Sequence, residues 1–372
     1  MPDARPTVQK NRTRPTPRDG AGRRAFILGL GGLAAAGRVA VAAPIDAARA
    51  AVPPAEPFPD TVGILVGGPP GGRLDRWAAA IEAAFIRILP PDTQLRERLA
   101  GGADGVTAAN QFGARVAPDG HTVLLLPGEA PLAWLIGDPR AQFDAAGWLP
   151  VMAGITSGVL VSRVPPGKLR PGSRLSVAAS TPGGPEMAAL LGLDLMGVEP
   201  VPTFGLSTPA RSLQALTAHA VDAVFVGGPN AMALAGAAAA AQAAPLFTLG
   251  EPTQDGLRRD PSLPQVPTGL ELAVALRGVP PAGALAGAWR SAAAATEIEF
   301  ALVLPPLTPA ALVAQWRSVG IQAAEALQPR ASGVRLLGAT EANAATAAFG
   351  PEPAAVLELR RWLAARFNWT PS

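Results

Sequence analysis

The sequence predicts an α/β fold built in two halves. Three observations predict it. Strand-like runs alternate with helical stretches along most of the chain. A Pro-Gly-rich loop between a strand and a helix occurs twice, about a hundred residues apart. The length of 372 residues exceeds what one hydrophobic core ordinarily organises. With 49% apolar and 16% charged residues the composition is that of a folded chain, and its 41 Gly and 41 Pro, lacking a G-X-Y period, mark turns.

In chain order, the first segment reads as a targeting signal. Arg5, Lys10, Arg12, Arg14, Arg18, Arg23 and Arg24 face only Asp3 and Asp19 before the apolar stretch "AFILGLGGLAAAG". Those 13 residues are too few to span a bilayer, and small residues, "VAVAAP", follow Arg38. We expect an export signal over 1–43 and a Pro-rich leader over 44–57. Arg23-Arg24 followed by Ala25-Phe26-Ile27 resembles a twin-arginine signal, with Gly22 and Leu28 departing from the usual Ser and Lys; a general secretory signal is the alternative. Either route leads out of the cytoplasm. Removing 1–43 takes eight basic and two acidic residues, which turns the net charge from +3 to −3. The basic excess therefore belongs to the signal and leaves no footprint for nucleic acid.

With no Cys, the chain has neither thiol catalysis nor disulfides. The two His, His121 and His219, stand far apart in sequence and read as solvated or turn residues. No cofactor or metal is expected. No G-x-S-x-G elbow and no H-E-x-x-H occur, which argues against a hydrolase.

Strands are expected at 62–67, 121–126, 148–153, 175–179, 221–227 and 245–249, and helices near 73–88, 106–116, 184–197, 207–219 and 229–243. That alternation implies largely parallel sheets with ligands outside the carboxyl ends of the strands. From 309 onward the tail is helical and amphipathic, with Trp316, Trp362, Phe367 and Trp369 as packing anchors.

The first Gly-Pro loop, "VGGPPGGRLDR", matches the phosphate-loop spacing at Gly67 and Gly72, with Arg73 in place of Lys. Leu74 then replaces the magnesium-binding hydroxyl, and Pro69 and Pro70 delete two amide donors, so nucleotide binding does not follow. Two readings remain: a plain strand-to-helix turn with Asp75 complementing the dipole, or a helix N-terminus where Pro70, Gly71 and Gly72 hold a small anion. The second loop, Ser180 to Gly184 in "AASTPGGPEM", repeats the pattern and would face the first across one cleft.

Together the segments "FPDTVGILVGGPPGGRLDRWA", "VAPDGHTVLLL", "VEPVPTFGLSTPARSLQALTAHAVDAVF", "PSLPQVPT" and "LPPLTPAALVAQW" resemble the periplasmic substrate-binding proteins of tripartite tricarboxylate transporters, the Bug receptors, over about Phe58 to Trp369. The resemblance implies a type II periplasmic-binding-protein-like clamshell of two doubly wound lobes, lobe 1 over 58–160 and 300–372, lobe 2 over 161–299. It implies a monomeric periplasmic receptor, not an enzyme, that captures a small carboxylate by hinge closure for a transporter with one large and one small integral membrane subunit. By the same resemblance the ligand contacts Gly71 and Gly72, then Pro127, Gly128 and Glu129 from one lobe. Ser180, Thr181, Gly183 and Gly184, and the segment Thr203, Phe204, Gly205, serve from the other.

Departures bear on the ligand. Thr203-Phe204-Gly205 stands where the family carries Tyr-Lys-Gly, Val226 where it carries an acid, Glu186 where a non-acidic residue is usual, and 269–300 is longer. Glu186 has two readings: it complements the helix dipole, or it is a pocket acid that repels a second ligand carboxylate and accepts from an amine or hydroxyl. The rivals to a transport receptor are an exported sensor and a paralogue with a dead cleft.

Overall fold

An apolar run cannot stay exposed, and the stretch after the first Gly-Pro loop carries its apolar residues at helical spacing. Strand β1 (Thr61–Val66) accordingly leads through that loop into α1 (Arg73–Ile88), which buries Leu74, Ala78, Ile81, Ala84 and Phe85 on one face. Asp75 in its first turn and Arg87 in its last suit the helix dipole. The computed structural model describes residues 57–253, 256–347 and 349–370, so the expected export signal and all but the end of the leader lie outside the described residues.

The chain continues through β2 (Gln94–Leu99), α2 (Val106–Arg115), β3 (Thr122–Leu126), α3 (Glu129–Ile136), β4 (Leu149–Ile155), β5 (Val159–Ser162), β6 (Arg174–Ala178), α4 (Met187–Leu195), β7 (Glu199–Thr203), α5 (Pro209–Thr217), β8 (Ala223–Val226), α6 (Ala231–Ala237) and β9 (Ala244–Thr248). Then follow β10 (Glu251–Thr253), β11 (Gly256–Arg258), α7 (Gly269–Arg277), α8 (Ala284–Glu297), β12 (Ile298–Leu304), α9 (Ala310–Leu327), β13 (Arg335–Gly338), α10 (Ala339–Ala347) and α11 (Pro353–Phe367).

The strands form a six-stranded sheet, order β13-β4-β12-β3-β1-β2, a five-stranded sheet, order β7-β6-β8-β5-β9, and the small ribbon β10-β11. The fold is therefore α/β in two lobes, each lobe one sheet with its helices. The expectation of largely parallel sheets needs correction. β1 pairs β2 and β3 in parallel, and β6 pairs β7 and β8 in parallel, whereas β12 is antiparallel to both β3 and β4, and β5 to both β8 and β9. The reason is connectivity. Only the short segment 156–158 joins β4 to β5, and β12 brings the chain back to the first sheet, so these strands are not linked to their neighbours by the helical crossovers that parallel pairs need.

The core is nearly all aliphatic and aromatic. Trp316 is fully buried, with its indole N–H donating to Gly120 O at 2.9 Å, Trp362 is buried, and Phe367 and Trp369 pack partly buried against the core. These side chains fill the interior, as the amphipathic tail predicts. The largest apolar cluster runs from Leu124 and Leu126 in β3, through Leu135 in α3 and Ala292 in α8, to Leu190 in α4 and Val177 in β6. Buried contacts thus pass from one lobe to the other, and α8, with Trp289 donating to Ala188 O at 2.9 Å, is the element that carries them.

Candidate functional site

In an open α/β sheet the ligand crevice lies beyond the carboxyl ends of the strands. Here β1 and β3 run in parallel and each opens into a helix, so the N-termini of α1 and α3 emerge side by side. β12, antiparallel to β3, begins at that same edge. Three side chains meet there: Arg73, the first residue of α1; Glu129, the first of α3; and Glu299, the second of β12. One Arg73 nitrogen donates to both Glu129 oxygens at 2.9 and 2.8 Å, and the other reaches Glu299 at 3.4 Å. Trp77, one turn along α1, donates its indole N–H to the second Glu299 oxygen at 3.1 Å.

The second sheet supplies the opposite wall in the same way. After β6, Ser180 donates to Glu186 at 2.7 Å, holding that carboxylate at the N-cap of α4. After β7, Leu206, Ser207 and Thr208 lead into α5, whose amide at Arg211 the Thr208 hydroxyl caps at 3.3 Å. After β8 come Val226, Gly227 and Gly228. Between the walls lies a cavity of about 240 Å³. Arg73, Glu129, Glu186 and Glu299 line it together with hydroxyls of Thr156, Ser207, Thr208, Ser212 and Thr296 and with apolar Leu132, Leu206, Phe225 and Leu234.

Of the residues expected from sequence, the structure brings Gly128, Glu129, Glu186 and Val226 to this cavity. The others stand back from it. Gly71 donates its amide to Asp75 and Gly72 donates to Pro69 O at 3.0 Å, while Arg76 donates to Gly71 O at 2.9 Å. The first loop thus closes on itself, with Pro70 exposed. Pro127 packs against Gly105, where an added Cβ would lie 2.4 Å from its ring. Gly128 donates to Ile298 O at 3.3 Å.

In the second lobe Gly184 donates to Thr181 O at 3.1 Å and Gly205 to Ser180 O at 3.0 Å. Gly183 sits between Ile136 and Trp369, which a Cβ would meet at 2.7 and 3.0 Å. Thr203 ends β7, its carbonyl accepting from Ala179 at 3.0 Å, and Phe204 stacks edge-on against Phe367 with centroids 5.7 Å apart. These two segments therefore touch the end of the C-terminal helix and the residues just after it. Arg73 and Glu299 are the charged residues of the cavity lining that carry no assigned role at the level of sequence. For Glu299 the signal is an acid inside the otherwise apolar run "IEFALVL".

Burial raises the Glu299 carboxyl above the ordinary range; Arg73 and the Trp77 hydrogen bond pull it down, the Glu129 carboxylate pushes it up and Arg76 pulls it down again. An adjoining cavity of about 270 Å³ shares Thr156 and Gly228 with the cleft and is lined by Glu251, Asp260, Glu297 and Arg335. Glu297 is buried there, accepts from Gly158 N–H at 3.2 Å through one oxygen, and leaves the other without a partner. Desolvation, reinforced by the Asp260 charge, holds its carboxyl well above the ordinary range against the opposing Gly158 hydrogen bond. Among the described residues no group of three or more His, Cys, Asp or Glu could hold a metal ion, and no helix is long and apolar enough to cross a membrane.

No family model matches the chain, and no curated protein matches it in sequence. Solved structures do. A TctC solute-binding protein from Polaromonas, without ligand, superposes with a TM-score of 0.55 at 16% identity, over 83% of this chain and 98% of that one. MatC from Rhodopseudomonas palustris with bound malate gives 0.40 at 20% identity, over 83% and 96%. The periplasmic binding protein BugD gives 0.43 at 17%, over 83% and 96%. The first of these, the TctC solute-binding protein, establishes the two-lobed binding-protein fold.

Proposed function

We infer that this chain is a solute-binding receptor of the tripartite tricarboxylate transporter type, which holds a small carboxylate metabolite between two lobes and is not an enzyme. The observation that carries this reading is the cleft itself. Its walls come from the carboxyl ends of strands in two separate sheets, and a helix-opening arginine points into it. The likeness in fold to a TctC solute-binding protein supports it. We place the lobe boundaries close to those expected from sequence, moved to the segment 156–158 and to the start of β12 at Ile298 so that each lobe keeps its whole sheet. We place the export signal at 1–43 and the working location in the periplasm, reached by the twin-arginine route. Large and small integral membrane subunits of a transporter are the proposed partners of a monomeric receptor.

A ligand carboxylate reaches Arg73 by displacing Glu129, whose side chain is 47% exposed and readily turns to water. Hydroxyls of Ser207 and Thr208 offer further donors. A second reading, a cleft that has lost its ligand, is favoured by one observation: the amides of Gly71, Gly72, Gly128, Gly184 and Gly205, in the loops expected to hold a carboxylate, are already bonded within the chain. Thermal-shift screening of the purified full chain with mono-, di- and tricarboxylates separates the two. Stabilisation of several degrees that Arg73→Met abolishes supports the receptor; no stabilisation by any carboxylate supports the dead cleft.

A further inference from the structure

Four ionisable side chains line the cleft, one cation and three carboxylates: Arg73, Glu129, Glu186 and Glu299. The cation is already committed. Arg73 is bound to both oxygens of Glu129 and, through its other terminal nitrogen, to Glu299. Glu186 faces them from the other lobe, steadied by the Ser180 hydroxyl on one oxygen, and no cation among the described residues pairs with it. A site lined by acidic groups in excess of basic ones attracts positive charge and repels negative charge.

We propose that the cleft selects a ligand carrying an ammonium group and no more than one carboxylate, that is, an amine-bearing monoacid rather than a di- or tricarboxylate. The inference rests on the carboxylate-receptor reading and narrows it. The single carboxylate takes Arg73 in place of the exposed Glu129. The ammonium, with three donors, then has two free acceptors across the cleft: Glu186, and the Glu129 carboxylate released from Arg73. A second ligand carboxylate would meet the same acids with no cation left to receive it. Specificity therefore comes from a repulsive element as well as an attractive one, and Glu186 contributes to both.

The test is calorimetric titration of the full chain with matched aliphatic ligands of three to six carbons: the α- and ω-amino acids, the dicarboxylates and the diamines. We expect one amino acid to bind at least tenfold more tightly than the dicarboxylate of the same length. In Glu186→Gln and in Glu129→Gln that ratio should shrink at least threefold while the amino acid still binds. A dicarboxylate that binds as tightly as the amino acid, or a ratio unmoved in both variants, overturns the proposal and leaves the carboxylate receptor standing. Binding by diamines alone overturns the carboxylate reading and with it the requirement for an acid on the ligand. No binding by any of the series overturns both.

Discussion

Arg73 begins a helix at the end where the dipole is positive, which is the wrong place for a cation unless anions surround it. Glu129 and Glu299 do so, and of the two only Glu299 is buried, with 2% of its side chain exposed. Removing the cation leaves that carboxylate buried without its charge partner, and the carboxylate answers by taking up a proton. Arg73→Met should therefore cost about 1 kcal/mol at alkaline pH, since Arg73 is 36% exposed and its charge is screened by solvent, and less as the pH falls and the raised Glu299 carboxyl takes up a proton. Denaturant unfolding at two pH values measures the difference. Glu297 gives the cleaner pH effect. Its carboxyl is raised in the fold, so the folded state keeps a proton that the unfolded chain releases in the ordinary carboxylate range. Stability is full below that range and falls as pH rises through the folded value. Glu297→Gln keeps an acceptor for Gly158 N–H and carries no charge, so the fall in melting temperature as pH rises above the ordinary carboxylate range should flatten.

At the scale of elements, α3 is seated by a close backbone approach. A Cβ on Gly128 would lie 1.9 Å from Ala295 O and 2.8 Å from Ile298 O, neither of which belongs to a side chain that can swing away. Gly128→Ala should push α3 off the junction of α8 and β12 and cost about 2–3 kcal/mol. Gly172→Ala is the control. Its φ of +87° carries a left-handed penalty of about 1–2 kcal/mol, but nothing lies within 4 Å of the added methyl. Equilibrium unfolding of both variants checks the contrast.

Sequence periodicity was enough for elements of simple pattern. α1 spans 73–88 as expected, and "HTVLLL" forms β3, because each has one buried face or one continuous apolar run. β2 is an edge strand, "QLRERL", whose many exposed charged residues hide it. β12 follows α8 with no loop between them, so its apolar run merges with an Ala-rich helix. In the cleft, Glu186 and Glu129 were readable from their place after a strand-loop-helix signal. Glu299 and the engagement of Arg73 were not, since they depend on β12 lying antiparallel beside β3, a long-range pairing that no local pattern encodes.

At the scale of the whole molecule, the question is how far the lobes move. The sequence resemblance implies a clamshell that closes by a hinge. The buried cluster that passes from β3 through α3 and α8 to α4 and β6 ties the lobes together on one side. Parting such contacts exposes apolar surface at about 25 cal/mol per Å², so wide opening is costly and motion should pivot about α8. Ligand binding should then change the radius of gyration little, while slowing amide exchange in the cleft segments 128–134 and 206–212. Small-angle scattering with hydrogen exchange on the same samples distinguishes this pivot from a wide swing.

The most direct measurement is the electron density in the cleft of the protein crystallised with a stabilising ligand. The account predicts one small molecule touching Arg73 or Glu129 from one lobe and Glu186, Ser207 or Thr208 from the other. A ligand bound elsewhere, with the cleft holding only water, would contradict it.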